Sequence, residues 1–166
     1  MHFLGMRDAK LLEDANLIVE VLDRVVGKFQ PDALAVSAFE QGHLDHDVLN
    51  FLVSKYQTAA SLWEYPLYRP YTTRFPQVGC FDFVGTEYCF PLTLEEQAIK
   101  VKMLSCYSSQ TIRRNMVWAQ FRERKRGRSL LTYEALLPMP ESRDYSVPAA
   151  PERFRKAILR SSKWEK

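Results

Sequence analysis

His43, Asp45 and His46 fall within four consecutive positions of the stretch EQGHLDHDVLNF, residues 40–51, which holds two of the chain's three histidines. Imidazole is the side chain that exchanges a proton near neutral pH and, when neutral, binds a metal ion. Two histidines three apart with an aspartate between them can do one of three things. They can supply a metal ligand with an acid–base partner, form a pair oriented by the carboxylate, or merely open a helix, with Asp45 as an ordinary cap. The spacing alone does not choose among these, because HxxH lacks the glutamate of the HExxH zinc proteases.

The surrounding pattern shows how such a group would be held. Residues 9–29, AKLLEDANLIVEVLDRVVGKF, place Leu11, Ala15, Ile18, Val19, Leu22, Val25, Val26 and Phe29 at spacings of three and four, as one amphipathic helix requires. Pro31 interrupts it, and DALAVSAF then reads as a strand buried on both faces. After Gly42, residues 45–60 carry Val48, Leu49, Leu52, Tyr56 and Ala60 on one helical stripe. Helix, buried strand, loop and helix in this order are the rhythm of an α/β protein with a parallel sheet. The histidines thus sit in the loop at the carboxyl end of a strand, where open α/β sheets bind ligands. The N–H groups at the start of the following helix favour an anion and oppose protonation of a nearby imidazole.

Farther along, residues 61–92 are rich in aromatics and prolines and read as irregular extended chain with one hairpin. A turn at Val84-Gly85 would set Cys80 opposite Cys89. The three cysteines, Cys80, Cys89 and Cys106, have no CxxC spacing and read as buried free thiols. TLEE at 93–96 is a capping box, opening a helix to about residue 107 with Leu94, Ala98, Val101 and Leu104 on its apolar side. A further helix is expected over 111–124. The proline-bearing tail from 138 to 166 reads as an extended arm ending in a short basic helix at 152–159. Length and the absence of a linker make residues 1–166 a single domain.

A net charge of +3 is too mild to announce a nucleic-acid partner. The run RERKRGR at 122–128 reads as a solvated helix end, its cations facing the carbonyl terminus and Gly127 stopping the helix, so no nucleic acid is expected. No apolar run approaches the roughly 18 residues that span a bilayer, and the first residues lack a signal-peptide pattern. A cytoplasmic protein without a membrane segment is the expectation, and a homo-oligomer is left open.

PDALAVSAFEQGHLDHDVLNFLV resembles the second signature of the LmbE/PIG-L family of metal-dependent N-deacetylases, in which a buried strand leads through a GH-P-DH loop into a helix. Here Leu44 stands where the family usually has proline, a change expected to touch loop rigidity more than chemistry. LTLEEQAIKVKMLSCYSSQ is similar to a later helix of that family, and HFLGMRDAKL to a segment before the second signature in bacterial members. The resemblance runs from the first residues to about Phe121 and implies a Rossmann-like, mostly parallel sheet. It also implies zinc bound by His46, with His43 stabilising the tetrahedral intermediate or protonating the leaving amine and Asp45 orienting His43. The implied reaction is zinc-dependent hydrolysis of an N-acetyl group on a small molecule of N-acetylglucosamine type.

The family's first signature, of AHPDDE type, brings two further zinc ligands and the water-activating aspartate. Nothing like it occurs here, and His2 is the only other histidine. A catalytic zinc needs three protein ligands and an open position. The expectation is therefore a carboxy-terminal portion of such an enzyme, without its amino-terminal βα units and inactive by itself. The alternative is a non-catalytic α/β binding or scaffold relative that keeps a relic of the metal site. A nucleic-acid-binding domain using RERKRGR and the aromatic middle segment is a weaker third reading.

Overall fold

The computed structural model describes residues 5–8, 10–41, 43–69, 77–79, 81, 86–106 and 131–145. Helix α1 spans Ala15–Phe29, strand β1 Ala33–Ser37, helix α2 Leu44–Lys55 and strand β2 Ser61–Tyr65. Two-residue strands β3 (Tyr68–Arg69) and β4 (Gln77–Val78) form a small antiparallel ribbon, and β5 (Tyr88–Pro91), α3 (Leu94–Ser105) and β6 (Tyr133–Pro138) complete the described elements.

The main sheet runs β1-β2-β6-β5. Strands β1 and β2 are parallel, Ala33 opposite Ser61 and Ser37 opposite Tyr65, with α2 as the crossover between them. The other two pairings, β2 with β6 and β6 with β5, are antiparallel. The protein is thus mixed α/β, but the described sheet is mostly antiparallel where the sequence implies a mostly parallel one. A parallel neighbour needs a crossover that carries the chain back to the starting edge. Among the described residues, β1-α2-β2 supplies the one parallel pair.

Several boundaries differ from the periodic pattern. The first helix starts at Ala15, not near residue 9, because residues 10–14 form turns, with Glu13 N–H donating to Lys10 O at 2.9 Å. Its other end follows the sequence: Gln30 takes a left-handed conformation, φ 44°, its N–H donates to Val26 O, and Pro31 comes next. Strand β1 is buried only in its second half. Ala33 and Ala35 stand at the outer edge of the described sheet, Ala33 exposed, while every residue from Val36 to Glu40 is buried. Helix α2 stops at Lys55, five residues short of the expected end, as Tyr56 turns to extended backbone.

The main apolar cluster joins Ala15 and Ile18 of α1, Phe39 after β1, Val48, Phe51 and Leu52 of α2, and Tyr145. A smaller one gathers Ala38, Phe81, Tyr133 and Ala135. The sequence pattern does not distinguish strands β2 and β6. Part of the expected tail arm is also built into the fold, since Pro138 pairs with Trp63 and Tyr145 is a core residue.

The capping box is formed as expected: Glu96 N–H donates to Thr93 Oγ1 at 3.3 Å and Thr93 N–H to Glu96 Oε2 at 2.8 Å. The apolar side of α3 is not buried, however, and Leu94 and Val101 are exposed. Cys89 and Cys106 are exposed thiols, contrary to the expected burial, because β5 and the end of α3 present these positions to solvent. Cys80, the turn at 84–85, the helix at 111–124, the basic run at 122–128 and the helix at 152–159 lie outside the described residues. Among the described residues, no helix is long and apolar enough to cross a membrane.

Candidate functional site

The site is built where β1 runs into α2. One residue beyond β1 the ladder continues, with Ala38 N–H donating to Tyr65 O at 2.9 Å. The chain then turns through Gln41, whose φ of 58° is unusual for a residue with a Cβ. Asp47, in the first turn of α2 and fully buried, holds this turn: its Oδ1 accepts the N–H of Glu40 at 2.7 Å and of Gln41 at 3.2 Å. This side-chain clamp ties the turn to the first turn of α2.

His43 is the N-cap residue of α2, and Asp47 N–H donates to its carbonyl at 2.9 Å. Asp45 is therefore not the cap that the plain helix-start reading made of it. It lies one residue into the helix, buried, and its Oδ1 accepts the N–H of Leu11 at 3.2 Å. That bond fastens the turns before α1 to the start of α2.

His43 and His46 are brought together. Their rings stack with centroids 3.6 Å apart and planes 13° from parallel. His46 Nδ1 lies 2.7 Å from Oε2 of Glu40, which has no exposed surface. Where that carboxylate is ionised it can only accept, so a neutral His46 ring bonded to it would carry its hydrogen on Nδ1 and its lone pair on Nε2. Burial, followed by the neighbouring His46 ring, pulls His43 below the usual imidazole range, against the opposing pull of Glu40, Asp45 and Asp8. His43 is thus a neutral imidazole at neutral pH, able to accept a proton or bind a metal.

One turn further along α2 a second buried polar group crosses the domain. Asn50 donates through Nδ2 to Ser37 O at 2.9 Å and to Glu64 Oε1 at 2.5 Å. Arg143 meets the same carboxylate with both Nη atoms, Nη2 to Oε2 at 2.8 Å, and also reaches Asn50 Oδ1. Tyr145 donates its hydroxyl to Asn50 Oδ1 at 2.7 Å and sets its ring edge-on to Phe39 and Phe51. Phe39 precedes Glu40, so this network braces the loop from beneath.

Sequence reasoning missed Glu40, Asp47, Asn50, Glu64, Arg143 and Tyr145. A signal existed for two of them. Asn50 occupies a mid-helix position beside Phe51 where a buried polar group demands partners, and Glu64 sits in an aromatic strand. Among the described residues, no group of three or more His, Cys, Asp or Glu side chains is placed to hold a metal ion. Comparison with family models, with curated proteins and with solved structures gives no match to this chain.

Proposed function

We propose that this chain carries half of the catalytic site of a zinc-dependent N-deacetylase, the carboxy-terminal part of a Rossmann-like LmbE/PIG-L-type domain acting on a small N-acetylated, sugar-type substrate. The observation that carries the reading is the His46 ring itself, with Nδ1 engaged by a buried carboxylate and Nε2 on the opposite edge of the ring, at the carboxyl end of a parallel strand pair. Metal-bound histidines commonly have this arrangement, a carboxylate holding the far nitrogen. His46 Nε2 would supply one zinc ligand, and among the described residues no further donors are placed to complete the set of three.

When bound, zinc polarises an amide carbonyl and makes water acidic enough to attack it near neutral pH. His43, neutral and stacked on His46, takes up a proton at its ring and delivers it to the departing amine. Asp45 adds negative charge that favours the protonated form of His43 during that transfer. The N–H groups at the start of α2 favour negative charge developing on the carbonyl oxygen.

A second reading, a non-catalytic α/β binding or scaffold relative, is favoured by the bonds of Asp47 and Asp45 to the backbone, since these serve folding without any chemistry. Assay of zinc-dependent amine release from N-acetylglucosamine-type substrates separates the two. The chain is tested alone and joined to an amino-terminal half bearing an AHPDDE-type motif. Hydrolysis by the joined protein, lost on His46→Ala, is expected. A joined protein that binds zinc and hydrolyses no N-acetyl substrate supports the second reading.

A further inference from the structure

Glu40 stands just before the GHLDH motif, and its Oε2 lies 2.7 Å from Nδ1 of the His46 ring. Its side chain has no exposed surface, whereas that of His46 is 21% exposed. A carboxylate moved from water into an interior costs several kcal/mol unless bonds and charges compensate. The contact with His46 offsets part of that cost, and the backbone of Glu40 is fixed separately. Asp47 Oδ1 accepts the Glu40 N–H at 2.7 Å, and Asp47 follows His46 directly in the first turn of α2. Asp47, Glu40 and His46 therefore close a loop in which one carboxylate fixes the backbone of the residue whose own carboxylate fixes the imidazole.

Two constraints act on the His46 ring. Stacking on His43 sets its plane, at 3.6 Å between centroids, and Glu40 sets its rotation within that plane. Together they face Nδ1 toward the carboxylate and Nε2 away from it. A neutral imidazole not so held populates both tautomers, and in solution the one with hydrogen on Nε2 predominates. That form turns the lone pair toward Glu40.

We propose that Glu40 is the positioning residue of this site: it locks His46 in the Nδ1–H tautomer and aims the Nε2 lone pair away from the buried carboxylate. This rests on the reading that His46 Nε2 is the atom that meets the metal. In this role Glu40 acts through the His46 ring, which it contacts directly.

The test uses the full chain labelled with ¹⁵N histidine. Long-range ¹H–¹⁵N correlation spectra at a pH where His46 is neutral report its tautomer directly, for wild type, Glu40→Gln and Glu40→Ala, and zinc chloride is then titrated into each. The wild type is expected to show the Nδ1–H form. Glu40→Gln is expected to shift toward the Nε2–H form, with its thermal unfolding close to wild type, and zinc affinity at His46 should fall by about 10- to 100-fold. A wild type found mainly as the Nε2–H form overturns the proposal, and needs no variant to fold. An unchanged tautomer in both variants also overturns it. If the tautomer shifts as expected but zinc perturbs His46 in none of the three proteins, positioning by Glu40 stands and the metal reading fails.

Discussion

Arg143 closes both arms of its guanidinium on the carboxylate of Glu64, 79 positions away in sequence; the carboxylate is buried and the guanidinium half-buried. Removing one partner leaves a buried charge uncompensated. Arg143→Ala is therefore expected to cost about 3–5 kcal/mol. Arg143→Lys should lose less but still register, because an ammonium cannot reproduce the two-armed contact. Urea unfolding of the three proteins measures this, and a loss under about 0.5 kcal/mol for Arg143→Ala, the range of an ordinary surface substitution, would contradict the burial of the pair.

Asp47 supports two backbone N–H groups through one oxygen. Asp47→Ala leaves both without that acceptor in a buried setting, at about 1–3 kcal/mol for each group left unsatisfied. Amide hydrogen exchange should accelerate at Glu40 and Gln41 before it does at Leu52. Equal acceleration everywhere would mean that the loop has no stability of its own to lose.

Gln41 holds a φ of 58°, a conformation that costs a residue with a Cβ about 1–2 kcal/mol. Glycine adopts it without that cost but gives up roughly 0.5–1 kcal/mol more chain entropy on folding. Gln41→Gly should accordingly stabilise the protein slightly, by a few tenths to about 1 kcal/mol. A destabilised Gln41→Gly protein would show that the Gln41 side chain itself holds the turn.

The two histidines should separate by function. In the protein joined to an amino-terminal half, His46→Ala is expected to abolish zinc retention and turnover together. His43→Ala should keep zinc and slow hydrolysis by about 10²- to 10⁴-fold, and Asp45→Asn should fall between wild type and His43→Ala. Metal analysis after desalting, beside the amine-release assay, reads both. Loss of zinc on His43→Ala with retention on His46→Ala would reverse the roles. The 166-residue chain by itself is expected to release zinc on desalting.

Acid should fray α3 first at its amino end. The Thr93 N–H and hydroxyl hold the Glu96 carboxyl below its ordinary range. A group lowered in the folded state stabilises fully above its unfolded value, near 4.5, and that contribution is lost as pH falls through the lower folded value. Amide exchange at Glu96 between about pH 5 and pH 3 should speed up relative to Lys102, and Glu96→Gln should flatten the difference. A slope equal in both proteins would assign the acid response elsewhere.

Local chemistry is legible in the sequence. The box at Thr93 and Glu96, the end of α1 at Gln30 before Pro31, and the loop-to-helix setting of His43 and His46 each depend on residues a few positions apart. What the sequence hides depends on distance. The turns before α1 are tied to Asp45, 34 residues from Leu11. Strand β6 is held by pairing with β2 and β5, and its alternation of Tyr133 and Ala135 inward is too short to stand out. Glu40 resembles any loop glutamate until its contact with His46 is seen.

Tyr145 reaches Asn50 across 95 positions, and Arg143 reaches it across 93. Asn50 and Glu64, which bond each other, and the rings of Phe39 and Phe51 thus gain Arg143 and Tyr145 from one short stretch far along the chain. Until residue 145 has left the exit tunnel, α2 and the parallel strand pair can form but cannot close, with a charged carboxylate and two aromatic rings still open to water. Contacts so distant in sequence form slowly. The nascent chain should therefore pass through a long-lived open state that binds chaperones, and the histidine loop becomes rigid only after the last described residues arrive.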